Sequence, residues 1–92
     1  MTAKSRVVKP LKLTPIETWV RDLRRQFIND GTHIAPTFTA DRQNGRWGIY
    51  AEYLWEDPRN NETRTGHWFI TYSGVSDEAG VREVAARMDA LT

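Results

Sequence analysis

The pair Asn44-Gly45 constrains this chain more than any other feature of it. It lies between two stretches whose apolar residues alternate in step. A type I′ turn needs two central residues with φ above zero, a backbone that Asn and Gly adopt more readily than other residues. A two-residue turn here sets Gln43 opposite Arg46, Asp41 opposite Gly48, Thr39 opposite Tyr50 and Thr37 opposite Glu52. The other face then carries Pro36, Phe38 and Ala40 against Tyr53, Ala51 and Ile49, with Trp47 and Trp55 at its ends. One face is apolar and the other mixed, the pattern of an antiparallel sheet covered on one side.

What covers that side is written on either flank of the hairpin. Thr14-Pro15-Ile16-Glu17 is a helix start, with Thr as N-cap, Pro at the first helical position and Glu three residues on to complete a capping box. Ile16, Trp19, Val20, Leu23 and Phe27 follow at three- and four-residue steps, predicting a helix over 15–29 that Gly31 stops. Strands are expected at 34–43 and 46–56. Residues 56–66 are rich in breakers and charge and read as an exposed loop or the flexible end of a second hairpin, and 67–73 read as the third strand, with Trp68, Ile70 and Tyr72 on one face. A last helix is expected from Ser76 as N-cap, with Asp77 and Glu78 in its first turn and Val81, Val84, Ala85, Met88 and Leu91 as its apolar stripe. The expected fold class is α+β: a three-stranded antiparallel meander with two helices packed on one face, in the order α-β-β-β-α.

Ninety-two residues make one domain near the size at which a core still holds a fold unaided, so the four Trp, three Tyr and three Phe must contribute heavily to it. Residues 1–13 read as a basic N-terminal tail, with Lys4, Arg6, Lys9 and Lys12 and no acid, and 14–92 as the single α+β domain. The absence of cysteine removes disulfides and thiolate chemistry and fits a cytoplasmic protein. The longest apolar run of the basic terminus is Val7-Val8, far short of the about 20 apolar residues of a membrane helix, so no membrane partner is expected. Charge is lopsided: residues 1–46 carry nine Lys and Arg against four acids, residues 47–92 four against eight.

The helix-strand-strand-strand-helix order over 14–92 resembles the double-stranded-RNA-binding domain. Members of that family read a duplex by shape through the first helix, the loop between the first two strands and a lysine-rich start of the last helix. The matching segments here are Gln43-Asn44-Gly45-Arg46 and Ser76-Asp77-Glu78-Ala79-Gly80-Val81-Arg82, where Asp77 and Glu78 stand in place of the lysines. The Ala-rich stretch 84–91 matches the family's packing pattern. The resemblance implies the topology and, as one alternative function, RNA binding; the cations Lys4, Arg6, Lys9, Lys12, Arg21, Arg24 and Arg25 offer contacts to a phosphate backbone, and Tyr50, Leu54 and Phe69 of the outer sheet face offer stacking to a single-stranded nucleic acid.

The outer sheet face favours a different partner. Tyr50, Leu54 and Phe69 lie there among Thr37, Thr39, Arg46, Thr71 and His67, a composition of aromatics and few charges that matches the middle of a protein interface. The expected partner is therefore a protein or nucleoprotein complex, contacted by Tyr50, Leu54, Phe69, Thr71 and Arg46 together with Arg21, Arg24 and Arg25 of the first helix. The free edge of a three-stranded sheet also opens the way to self-association. Small domains without cofactor motifs look like the accessory inhibitors and adaptors of phages and mobile elements, which extends the expectation to an inhibitor of a host defence complex.

Catalysis is not expected. His33 and His67 are the only histidines and neither stands at a metal-ligand spacing from another His or an acid, so no metal is expected. The glycines are dispersed rather than gathered into a phosphate loop, and no cofactor is expected. Glu52 and Glu56 share a strand face about 13 Å apart, too far for a paired-carboxylate site.

Overall fold

A computed structural model describes residues 12–28 and 33–91 of the chain. Its elements run α1 (Pro15–Phe27), β1 (Ile34–Gln43), β2 (Arg46–Asp57), β3 (Glu62–Ile70) and α2 (Glu78–Leu91), with the sheet in the order β1-β2-β3 and both strand pairs antiparallel. This is the expected α+β meander with its two helices on one face. Residues 1–11 of the expected tail, with Lys4, Arg6 and Lys9, lie outside the described residues, as do Asn29 and Gly31.

The first hairpin turns as the Asn-Gly pair dictates, with φ of 52° at Asn44 and 77° at Gly45. From Gln43↔Arg46 to Thr37↔Glu52 the register is the expected one. It then slips by one residue between Ile34 and Thr37, where Ala35 takes a φ of 50° ahead of Pro36, so that Ile34 faces Leu54.

Helix α1 starts on the capping box: the Glu17 amide donates to Thr14 Oγ1 at 3.2 Å, and the Thr14 amide donates to Glu17 Oε1 at 2.9 Å. It buries Trp19, Leu23 and Phe27 and half-buries Ile16 and Val20. Helix α2 buries Val81, Val84, Ala85 and Met88 and lies chiefly over β1. Both stripes meet the Phe38, Ile49 and Ala51 face of the sheet. The Phe27 ring is the hub of this layer, 5.4 Å and edge-on to Phe38, 4.9 Å from Trp68 and 5.6 Å from Tyr53. Pairs of this kind each add about 0.5–1.5 kcal/mol beyond the area they bury. Trp47 and Trp55 are both half-buried, and the Arg82 guanidinium of α2 sits 5.5 Å over the Trp47 ring.

Four expectations are corrected. The third strand begins at Glu62 rather than at 67 and ends at Ile70, so the loop expected over 56–66 shrinks to four residues, 58–61. Tyr72 then forms an isolated bridge with Val75. The N-cap of α2 is Asp77 and not Ser76: Asp77 Oδ2 accepts from the Gly80 amide at 3.2 Å and its carbonyl from the Val81 amide at 3.0 Å. Leu91, counted in the apolar stripe of α2, is 44% exposed because the helix by then has run past the sheet.

The physical reason for the longer third strand is Asp57. Its carboxylate is 1% exposed and gathers the second turn around itself. Oδ1 accepts from the amide and Nε of Arg59, both at 3.0 Å, and Oδ2 from Arg59 Nη2 at 2.8 Å and Arg64 Nε at 3.1 Å. The Asp57 carbonyl takes the Asn60 and Asn61 amides, and Asn61 adopts the left-handed φ of 59° that closes the reversal. Asp followed by Pro58 is the signature of the first two positions of a type I turn.

The Arg59 side-chain and amide hydrogen bonds lower the Asp57 pKa from 3.8 to about 2, with Arg64 adding to the effect. A carboxyl depressed by folding stabilises the folded state above its unfolded pKa and loses that contribution as pH falls through its folded pKa. Melting temperature is therefore expected to drop between pH 4 and pH 2 in the native chain. Asp57→Asn should be less stable at neutral pH and show a flatter profile across that window; equal slopes in thermal melts of the two proteins would refute the assignment.

Candidate functional site

With both helices on one side, the other side of the sheet is bare among the described residues, and strand alternation decides which side chains stand on it. Three cross-strand rows result. Thr39, Tyr50 and Phe69 form the first, Thr37, Glu52 and His67 the second, and Ile34, Leu54 and Thr65 the third. Apolar groups thus occupy both ends of the face, with Glu52 and His67 between them.

At one end the Phe69 ring lies across Gly48: a methyl group built on that glycine would sit 2.7 Å from Phe69 Cζ and 3.0 Å from Thr71 Cγ2. Phe69 and Thr71 are consequently half-buried against the sheet. The Tyr50 ring stacks on His67 at 5.7 Å and 27°, and its hydroxyl is hydrogen-bonded to His67 Nδ1. Glu52 Oε2 stands 3.6 Å from the same nitrogen, with both side chains about half exposed. At the other end Ile34 is 45% and Leu54 38% exposed. Thr37 and Thr39 turn their hydroxyls onto the Glu52 and Tyr50 carbonyls, at 3.4 and 3.5 Å. A shallow hollow of about 210 Å³ opens between Thr37, Glu52, Leu54 and Thr65 beside the Ala35 irregularity. The face is held in shape by its own contacts, and its most accessible apolar atoms belong to Leu54 and Ile34.

The residues expected to act together are divided between two layers. Tyr50, Leu54, Phe69 and Arg46 stand on the bare sheet face. Arg21, Arg24 and Arg25 stand on the exposed side of α1, whose other side packs on the opposite face of the sheet. Arg21 pairs with its neighbour Asp22 at 3.2 Å, whereas Arg24 and Arg25 form no ion pair among the described residues. Lys12 is exposed ahead of α1.

Two features were not foreseen. One is the Tyr50–His67–Glu52 group. It follows from the pairing Tyr50↔Phe69 and Glu52↔His67, which was legible once the second turn was placed at 58–61. The other lies on the helix side, where His33 packs 4.7 Å from Phe27 and 4.4 Å edge-on to Tyr53, and lines with Trp55 and Glu56 a hollow of about 240 Å³. Among the described residues no group of His, Cys, Asp and Glu could hold a metal ion, and no helix is long and apolar enough to cross a membrane.

Comparisons with protein families, with curated sequences and with solved structures return no match.

Proposed function

We propose that this chain is a non-enzymatic interaction module that binds a protein surface through the bare face of its sheet. The observation that carries the reading is the composition of that face: Tyr50 and Phe69 at one end, Ile34 and Leu54 at the other, and Glu52 beside His67 between them. Aromatic and aliphatic side chains anchor protein interfaces, and here Arg46, Asp41 and Glu56 lie beyond the two apolar ends, with Glu52 and His67 between them. The Tyr50–His67–Glu52 group lies half exposed on a flat surface, an arrangement suited to hydrogen-bonding a partner rather than to excluding water from a reaction.

The same face argues against a phosphate backbone. Asp41, Glu52 and Glu56 outnumber Arg46 on it, and phosphate binding depends on neutralising cations. A nucleoprotein partner would meet the sheet face with its protein part. Arg24 and Arg25 stand on the far layer, away from that contact. An inhibitor or adaptor acting on such a complex is the narrower form of this reading.

The test is capture of the partner from host extract by the tagged chain and by two variants. Leu54→Asp with Tyr50→Ala is expected to weaken capture by about tenfold or more, and Arg24→Glu with Arg25→Glu to leave it unchanged. Binding should also survive nuclease treatment and change little between about 50 and 200 mM salt, a range over which contacts to several phosphates lose about a thousandfold. Binding lost on Arg24→Glu with Arg25→Glu but kept by the sheet-face variant would replace this reading with nucleic-acid recognition.

A further inference from the structure

The two edges of the sheet are built differently. On β1 two of the amides that point away from β2 are occupied: Phe38 donates to Asp89 Oδ1 of α2 at 2.9 Å, and Arg42 to Asp41 Oδ1 at 2.8 Å. The irregularity at Ala35 and Pro36 breaks the same edge near its start. Caps of this kind close an edge to strand addition.

β3 carries none of these devices among the described residues. The ladder alternates, so the β3 residues hydrogen-bonded to β2 are those at 62, 64, 66, 68 and 70, and the amides and carbonyls of Thr63, Thr65, His67 and Phe69 point outward. No described side chain meets them. Glu62–Ile70 contains neither Pro nor Lys, the residues that most often guard an edge. Outward-facing peptide groups in a row are complementary to one kind of occupant, another extended strand.

We propose that the β3 edge pairs antiparallel with β3 of a second copy of this chain about a two-fold axis at Gly66, joining two three-stranded sheets into one of six strands. Self-complementarity identifies the occupant. Gly66 is the middle residue of the nine in β3, so only an axis there pairs the strand over its full length. In that register Thr65 stands opposite the second copy's His67 and Thr63 opposite its Phe69, which supplies about eight backbone hydrogen bonds from the four outward residues. On the inner face Arg64, already fixed by Asp57 at 3.1 Å, comes opposite the second copy's Trp68, a cation beside an indole. No like charges meet. Moving the axis to Glu62, Arg64 or His67 sets each of those residues against its own copy and shortens the overlap. An isologous contact of this form closes at two chains and does not propagate, because β1 at each end is capped. The proposal concerns an edge of the sheet and stands independently of what the bare face binds.

Sedimentation equilibrium of the full chain over about 1 µM to 1 mM tests it, together with amide exchange at low and high concentration. The expected result is a reversible dimer, with exchange at Thr63, Thr65, His67 and Phe69 slowing as concentration rises. Thr63→Lys with Thr65→Lys adds charge to the edge without touching the β2 ladder and is expected to weaken the dimer by about tenfold or more with an unchanged circular dichroism spectrum. A monomer throughout the range, concentration-independent exchange at those four amides, or a dimer undiminished by the lysines would each overturn the proposal.

Discussion

Phe38→Ala is expected to lower the melting temperature by about 12 °C or more, the largest effect of any single substitution in this chain. Phe38 is the largest of the fully buried side chains, 1% exposed, and it stands where three elements meet. Its ring receives Phe27 of α1 edge-on at 5.4 Å, and its amide is tied to Asp89 of α2. Truncating a buried Phe to Ala costs about 3–5 kcal/mol, the lost transfer energy plus the cavity left behind. A domain of this length has a total stability of roughly 5–14 kcal/mol, so the loss is between about a fifth and all of it. At about 4–8 °C per kcal/mol for domains of this size, the shift in thermal melting is unmistakable. Phe38→Leu, which fills most of the volume, should lose less than half as much. A loss below about 1 kcal/mol for the alanine variant would show that Phe27 collapses into the vacated space and that Phe38 does not set the distance between the layers.

Local chemistry made much of this architecture readable and left one turn unreadable. Asn44-Gly45 is a rare case in which two residues dictate a turn type, and everything within Thr37–Glu52 register followed from it. Thr14-Pro15-Ile16-Glu17 announced α1 for the same reason, since each residue answers a need of a helix start. The position of the second turn was hidden because its determinant acts across space. Arg59 and Arg64 look in sequence like the charges of a solvated loop, and their common acceptor, Asp57, looks like one more exposed acid. Only in the folded chain does Asp57 go under, taking both guanidinium groups with it and leaving Thr63 and Thr65 free to extend β3. That displacement of the turn decided what could be known of the surface. Tyr50, Leu54 and Phe69 could be assigned to one face from period-two alternation alone, but the meeting of Tyr50, Glu52 and His67 required the β2–β3 register, and the free edge of β3 required its true start. The slip at Ala35 was equally unreadable, because a bulge ahead of Pro36 leaves no pattern in side-chain polarity. It is this slip that brings Ile34 beside Leu54 and gives the face its second apolar end.

The second large effect is expected at Gly48, where fold and surface are coupled. Replacing a strand glycine by alanine ordinarily stabilises, since glycine loses the most backbone freedom on folding. Here the added methyl carbon would stand 2.5 Å from the Ile70 carbonyl oxygen, 2.7 Å from Phe69 Cζ and 3.0 Å from Thr71 Cγ2. A side chain can swing aside, but the carbonyl belongs to the residue paired with Ile49 and can retreat only if β3 separates from β2. Overpacking of this sort costs about 1–3 kcal/mol, more than the entropy gained, so Gly48→Ala is expected to melt about 4–8 °C lower for each kcal/mol lost. The bare face changes with it, because the Phe69 ring loses its seat, and capture of the partner should fall even below the melting transition. A double-mutant cycle with Phe69→Ala separates the two obstacles. If the carbonyl dominates, as its fixed position in the ladder requires, the two substitutions add to within about 0.5 kcal/mol. A coupling above about 1 kcal/mol would locate the strain in the ring instead, and would mean that Gly48 is there to seat Phe69 rather than to let two strands approach.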